Sequence, residues 1–166
     1  MTHMEPTMQL QDAELFYGLR IDTLDGLIRL AETVHRRRGD RLFALDAPAE
    51  RFYILQHGAV VLEYGPDRTR VYEGRSPGAL FGWSAIVGRA SYSASAICTE
   101  TSRLLGIDRD TFWALLRRDQ GEELTFCRQL VVVLGHRLIE SYRLIGALPE
   151  TLTVQATGAV ADQHRK

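Results

Sequence analysis

Between Gly82 and Ser93 the sequence gathers two aromatic rings, three hydroxyls and a guanidinium within twelve residues, reading G-W-S-A at 82–85 and R-A-S-Y-S at 89–93. Trp83 and Tyr92 could wall a planar ligand, with Ser84, Ser91, Ser93 and Arg89 supplying a few polar tips. The backbone amides from Gly82 to Ala85, if they open a helix, would suit an anion. The same residues support a second reading, in which Trp83 and Tyr92 fill a pocket with their own rings. Both stay open from sequence.

Other chemistry finds less support. A catalytic metal in a β-barrel-like cup needs two or three histidines with a carboxylate. Only His57 falls in the strand-rich region, while His35 and His136 fall in stretches that read as helix. The two cysteines, Cys98 and Cys127, are far apart and lack CxxC spacing. They read as reduced, small apolar residues, too few for an iron–sulfur cluster and unaccompanied by a base-bearing motif. None of the serines sits in a nucleophile elbow. The expectation is a protein without catalytic residues.

The elements that must position this cassette follow from periodicity. A helix is predicted over Ile21 to Arg37, with Asp22 as its N-cap and Leu24, Leu27, Ile28, Ala31 and Val34 on one face. Arg36, Arg37 and Arg38 would complement its C-terminal dipole, and Gly39 would stop it. From about residue 39 to 107, short apolar runs alternate with turn signals, as in RFYILQHGAVVLEY, GALFGW and YSASAIC. That texture predicts an antiparallel roll. Tyr64-Gly65-Pro66-Asp67 reads as a hairpin tip, and Gly39, Gly58, Gly78 and Gly82 as corners. Asp108 then caps a short helix carrying Phe112, Leu115 and Leu116. Asp119 with Glu122 forms a capping box for a long helix, about residues 120–146. Leu124, Cys127, Val131, Leu134, Leu138 and Ile145 make one apolar seam on it, and Phe126, Leu130 and Val133 an adjoining face. The roll can cover one face. A second copy, paired in parallel through 122–145, is the simplest cover for the other.

The order helix, roll, short helix, long helix resembles the cyclic-nucleotide-binding domains of the Crp/Fnr regulators and of kinase regulatory subunits. The resemblance runs from about Phe16 to Tyr142, within a domain expected over residues 14–146. It is carried by Gly39-Asp40, by Phe52-Tyr53-Ile54-Leu55 with Gly58 and Val60, by Pro77-Gly78-Ala79-Leu80-Phe81-Gly82, by Ala94-Ser95-Ala96, and by the segment from Ile107 to Leu116. It implies a mainly β fold with α, a cupin-like antiparallel jelly roll flanked by an N-terminal helix and a long C-terminal helix. It also implies a site: amides after the Gly82 turn cradling a cyclic phosphate, a Glu after that glycine for the ribose, and an Arg before the Ala-containing strand for the phosphate. Here Trp83 stands in place of the Glu. Counting back from Ala96 puts Ala90 in place of the Arg, with Arg89 one residue early. Losing a buried charge partner costs several kcal/mol of binding. That demotes ordinary tight cyclic AMP binding; a cyclic nucleotide or another small anion stays one candidate ligand, with haem on His57 or His136 behind it.

Composition sets the remaining expectations. Net charge is -1 and the pI about 6.5, so no general field draws the chain to nucleic acid or anionic lipid. No apolar run reaches the ~20 residues of a membrane span, and MTHMEPTMQLQDAE lacks the regions of a signal peptide. A cytoplasmic regulator with a protein partner is expected. About twenty residues follow Ile145, fewer than a helix-turn-helix module needs, so direct DNA reading is not expected. Residues 1–13 and 147–166 read as flexible termini.

Overall fold

The computed structural model describes residue 10 and residues 13–146. A 3-10 turn, Glu14–Phe16, leads to helix α1, Ile21–Leu30. Six strands follow: β1 Glu32–Arg36, β2 Arg41–Phe43, β3 Arg51–His57, β4 Val60–Tyr64, β5 Thr69–Gly74 and β6 Leu80–Phe81. After the single turn of helix α2, Trp83–Ile86, come β7, Ser95–Cys98, and β8, Ser102–Asp108. The helices α3, Arg109–Leu116, and α4, Gln120–Gly146, complete the described chain. The strands form two antiparallel four-stranded sheets, ordered β1-β8-β3-β6 and β2-β7-β4-β5, which is the jelly roll expected.

One predicted boundary is wrong. The first helix stops at Leu30 rather than Arg37, and Glu32–Arg36 is a strand. Thr33 and Val34 are β-branched, and pairing Val34 with Leu104 buries it in the core. The apolar spacing that read as helix was one strand residue falling in phase with a helical stripe. Arg36, Arg37 and Arg38 consequently cap no helix. They lie at the end of β1 and in the turn after it, where Asp40 accepts a hydrogen bond from the Arg37 amide at 2.8 Å. The roll thus begins at residue 32, not 39. Arg20, not Asp22, is the N-cap of α1.

The hairpin, corner and α3-cap signals are met. The Tyr64–Asp67 stretch closes the β4–β5 hairpin. Gly58 has φ +101°, and a Cβ there would lie 2.3 Å from Ser102 Oγ and 2.6 Å from the Thr101 carbonyl. Asp108 caps α3, accepting from the Thr111 amide at 2.8 Å, and those bonds hold its carboxyl below the usual range. Asp119 accepts from the amides of Gly121 and Glu122. The box is only half made, because Glu122 turns away and accepts from the Arg20 amide at 3.1 Å. It ties α4 to the approach of α1.

The helices attach to the first sheet through edge-to-face aromatic contacts. Phe52 of β3 meets Phe112 of α3 edge-on at 5.0 Å, and Phe112 meets Phe126 of α4 at 4.9 Å. Phe126 and Val133 face inward and are buried, while Leu124, Val131 and Leu138 of the predicted seam are exposed. Of the predicted flexible N-terminus, Leu10 and Ala13 are buried in the core; the rest, and residues 147–166, lie outside the described residues.

Candidate functional site

Gly82 has φ +84° because the chain there crosses β3 too closely for a side chain: a Cβ would lie 2.9 Å from the Arg51 carbonyl. The turn drops directly into α2, which places Trp83 toward α4 and buries Ser84 and Ala85. Two polar groups of this turn are engaged locally. The Ala85 amide donates to the Gly82 carbonyl at 3.0 Å. Ser84 Oγ accepts from the Ser93 amide at 3.3 Å and lies 3.4 Å from Ser93 Oγ.

Opposite the turn, residues 90–92 run against the loop before β3 rather than as a continuation of β7. The Ala49 amide donates to the Ala90 carbonyl, the Tyr92 amide to the Ala47 carbonyl, and Ser91 bridges Pro48. This irregular path breaks the period-two count back from Ala96. The side chain facing Gly82 is that of Tyr92, whose ring a Cβ on Gly82 would meet at 3.4 Å. Ala90 and Arg89 are exposed. Tyr92 is buried, stacked on Phe43 at 4.0 Å, and its hydroxyl donates to the Arg51 carbonyl at 2.6 Å while accepting from the Arg51 amide at 3.2 Å. Burial pushes this hydroxyl's pKa up. A tyrosine thus closes the end of the roll where the resemblance puts the phosphate.

Of the predicted binding residues, Gly82, Ser84, Ala85 and Tyr92 are buried together. Ser91 is half-buried, Ser93 and Arg89 are exposed, and Trp83 lines a cleft. That cleft, about 540 Å³, lies between the roll and α4, bounded by Tyr72, Trp83, Val133, His136, Arg137 and Ser141 among others. The Arg137 guanidinium lies 4.2 Å over the Trp83 ring and 5.3 Å from that of Tyr72. At the rim, His136 Nδ1 is 3.0 Å from Glu14. The Trp83 indole N–H is shielded from water and meets no acceptor among the described residues.

Tyr72 and Arg137 were not found from sequence, and His136 was singled out only as a candidate haem ligand. One signal was available for Arg137: it continues the 126, 130, 133 spacing, so it is a cation on the roll-facing stripe of α4. Among the described residues no three His, Cys, Asp or Glu side chains gather as a metal site would need. Burial raises the Cys98 thiol, which suits a core role.

With this geometry, the family is settled by comparison. A model of the cyclic nucleotide-binding domain matches residues 33–119, and the chain belongs to that family. The cyclic AMP receptor protein of Thermus thermophilus is 31% identical over 117 residues, which are 66% of this chain and 51% of that protein. Glutaminase 2 of Bradyrhizobium diazoefficiens is 28% identical over 138 residues, 83% of this chain but 22% of that protein. The chain therefore spans about half or less of these curated relatives. Among solved structures, the Thermus thermophilus catabolite activator protein superposes with a TM-score of 0.67 at 24% identity, over 80% of this chain and 62% of that one. The sensor domain of the transcriptional regulator DNR from Pseudomonas aeruginosa gives 0.66 at 22%, over 81% and 91%. These likenesses bear out the jelly-roll fold with its long C-terminal helix. No helix among the described residues is long and apolar enough to cross a membrane.

Proposed function

We propose that this chain is a non-enzymatic sensor module that binds a small molecule between its roll and α4 and passes the change to a partner through that helix. The observation that carries the reading is the shared cleft. Trp83 and Tyr72 come from the roll, Arg137 and His136 from α4, so an occupant contacts both bodies at once. A ligand shifts an equilibrium only by its preference for one arrangement, and a cleft built from two elements supplies that preference. The family and the likeness to the DNR sensor domain support the regulatory role. The exposed apolar residues Val131, Leu138 and Tyr142 support a parallel homodimer through residues 122–145. A cytoplasmic location and indirect rather than direct action on DNA belong to the same reading.

Thermal shift with cyclic mononucleotides, cyclic dinucleotides and haem tests it. A ligand at 100-fold its Kd adds about 2.7 kcal/mol, which for a chain this size raises Tm by roughly 5–11 °C. One observation favours a second reading, a roll that serves only as a dimerisation scaffold. Tyr92 and the Ser84–Ser93 contact engage local groups beside the Gly82 turn, where the resemblance puts the phosphate. Absence of a shift with every compound supports that reading instead.

A further inference from the structure

We propose that the outer face of the first sheet carries an oxyanion site for a phosphate group, built from His35 of β1, Arg103 of β8 and His57 of β3. The site shares no residue with the cleft beside α4 and does not depend on what that cleft holds.

The three residues form one row across three adjacent strands. Arg103 is the register partner of His35 on one side and of His57 on the other. Directly opposed side chains on antiparallel strands project from the same face, with Cβ atoms about 4.5–5.5 Å apart. Unbroken pairing along β3 would set Gln56 opposite Arg103. A bulge after Leu55 passes over the buried Gln56 and brings His57 into the row instead. Further along the same face the helices provide cover, since Ile107 lies opposite Phe52, which meets Phe112 of α3. At the row that cover has ended, and His35 and His57 are exposed.

Arg103 is half-buried, and its Nε is shielded from water without an acceptor among the described residues. Three other arginines of the roll are paired: Arg51 with Glu32, Arg68 with Glu63, and Arg75 with Glu73 and Glu100. The row itself holds no carboxylate. A shielded donor left without an acceptor is a cost that folded chains ordinarily avoid, and an anion seated at the row removes it. The donor set selects which anion. A guanidinium fork engages both oxygens of a carboxylate, leaving that ligand nothing for the flanking rings. Each imidazole adds an N–H donor even when neutral, one from either side of the fork. A phosphate group, with its further acceptor oxygens, uses the fork and both imidazoles together.

The test is isothermal titration of the full chain in chloride buffer of fixed ionic strength. Inorganic phosphate and O-phospho-L-serine are the probes, with acetate and L-serine as their respective controls. At least one probe should bind about tenfold or more tightly than its control. The imidazole resonances of His35 and His57 should shift along the same titration. Arg103→Met should abolish the preference, Arg103→Lys should keep part of it, and His35→Ala with His57→Ala should weaken it about fivefold or more. Arg118→Gln, on the exposed turn between α3 and α4, should leave it unchanged. The two probes tell a free phosphate from one carried on a larger molecule. Unliganded Tm values confirm that each variant folds, and if Arg103→Met does not, Arg103→Lys and the histidine pair carry the comparison. A wild type without preference overturns the proposal. So does a preference that survives Arg103→Met, or one indifferent to the histidine pair. Each of those results leaves the sensor reading where it stands.

Discussion

Tyr92→Phe is the most direct test of how the roll closes its own phosphate end. Strand β6 is two residues long and pairs β3 only at Tyr53 and Ile54. One step earlier, the Tyr92 hydroxyl stands in for a neighbouring strand, serving both the carbonyl and the amide of Arg51. Removing the oxygen leaves the Phe43 stack in place and deletes two hydrogen bonds. At about 0.5–1.5 kcal/mol each, the loss is about 1–3 kcal/mol, and partial access of water favours the lower half of that range. For a domain of this size the change corresponds to a Tm decrease of roughly 2–8 °C. The measurement is urea and thermal unfolding at neutral pH, repeated toward high pH. Burial raises the folded-state pKa of the Tyr92 hydroxyl, so its contribution is complete below about pH 10 and is lost as pH rises through the folded value. Tyr53 is raised as well, so the variant should flatten the alkaline limb in part, not wholly. A loss below about 0.5 kcal/mol with an unchanged alkaline limb would refute the reasoning, leaving Tyr92 as a ring filler whose hydroxyl has no structural task.

Gly58→Ala should cost more than about 2 kcal/mol, because it combines a left-handed φ with a clash against the Ser102 backbone; denaturant midpoints measure it. Asp108→Ala should remove about 0.5–2 kcal/mol through loss of the α3 cap. Because the Asp108 carboxyl is held below its usual pKa, its contribution is present above about pH 3.8 and lost as pH falls below that, so acid unfolding of this variant should be shallower than the wild type's. Val131→Asp with Leu138→Asp should convert a dimer into a monomer in light scattering without altering the roll's near-ultraviolet dichroism; a wild type that is already monomeric refutes the dimer.

The sequence by itself determined the architecture, because alternation, turn residues and capping groups act over a few neighbours. The Gly82 corner, the Asp108 cap and the Tyr64–Asp67 hairpin are local events, and each was legible. Long-range pairing was not. Glu32–Arg36 became a strand because β8 offered Val34 a partner seventy residues away, and a helical stripe of apolar residues could not reveal that. The same limit governed the site. Trp83 was legible as a wall because it follows the turn directly, but the count back from Ala96 failed where residues 90–92 paired with a distant loop. Only tertiary packing brought Tyr72, Trp83 and Arg137 within a few ångströms of one another, from strand, short helix and long helix. Local periodicity specifies which face an element buries; it does not specify what lies across from that face, and the cleft is made of what lies across.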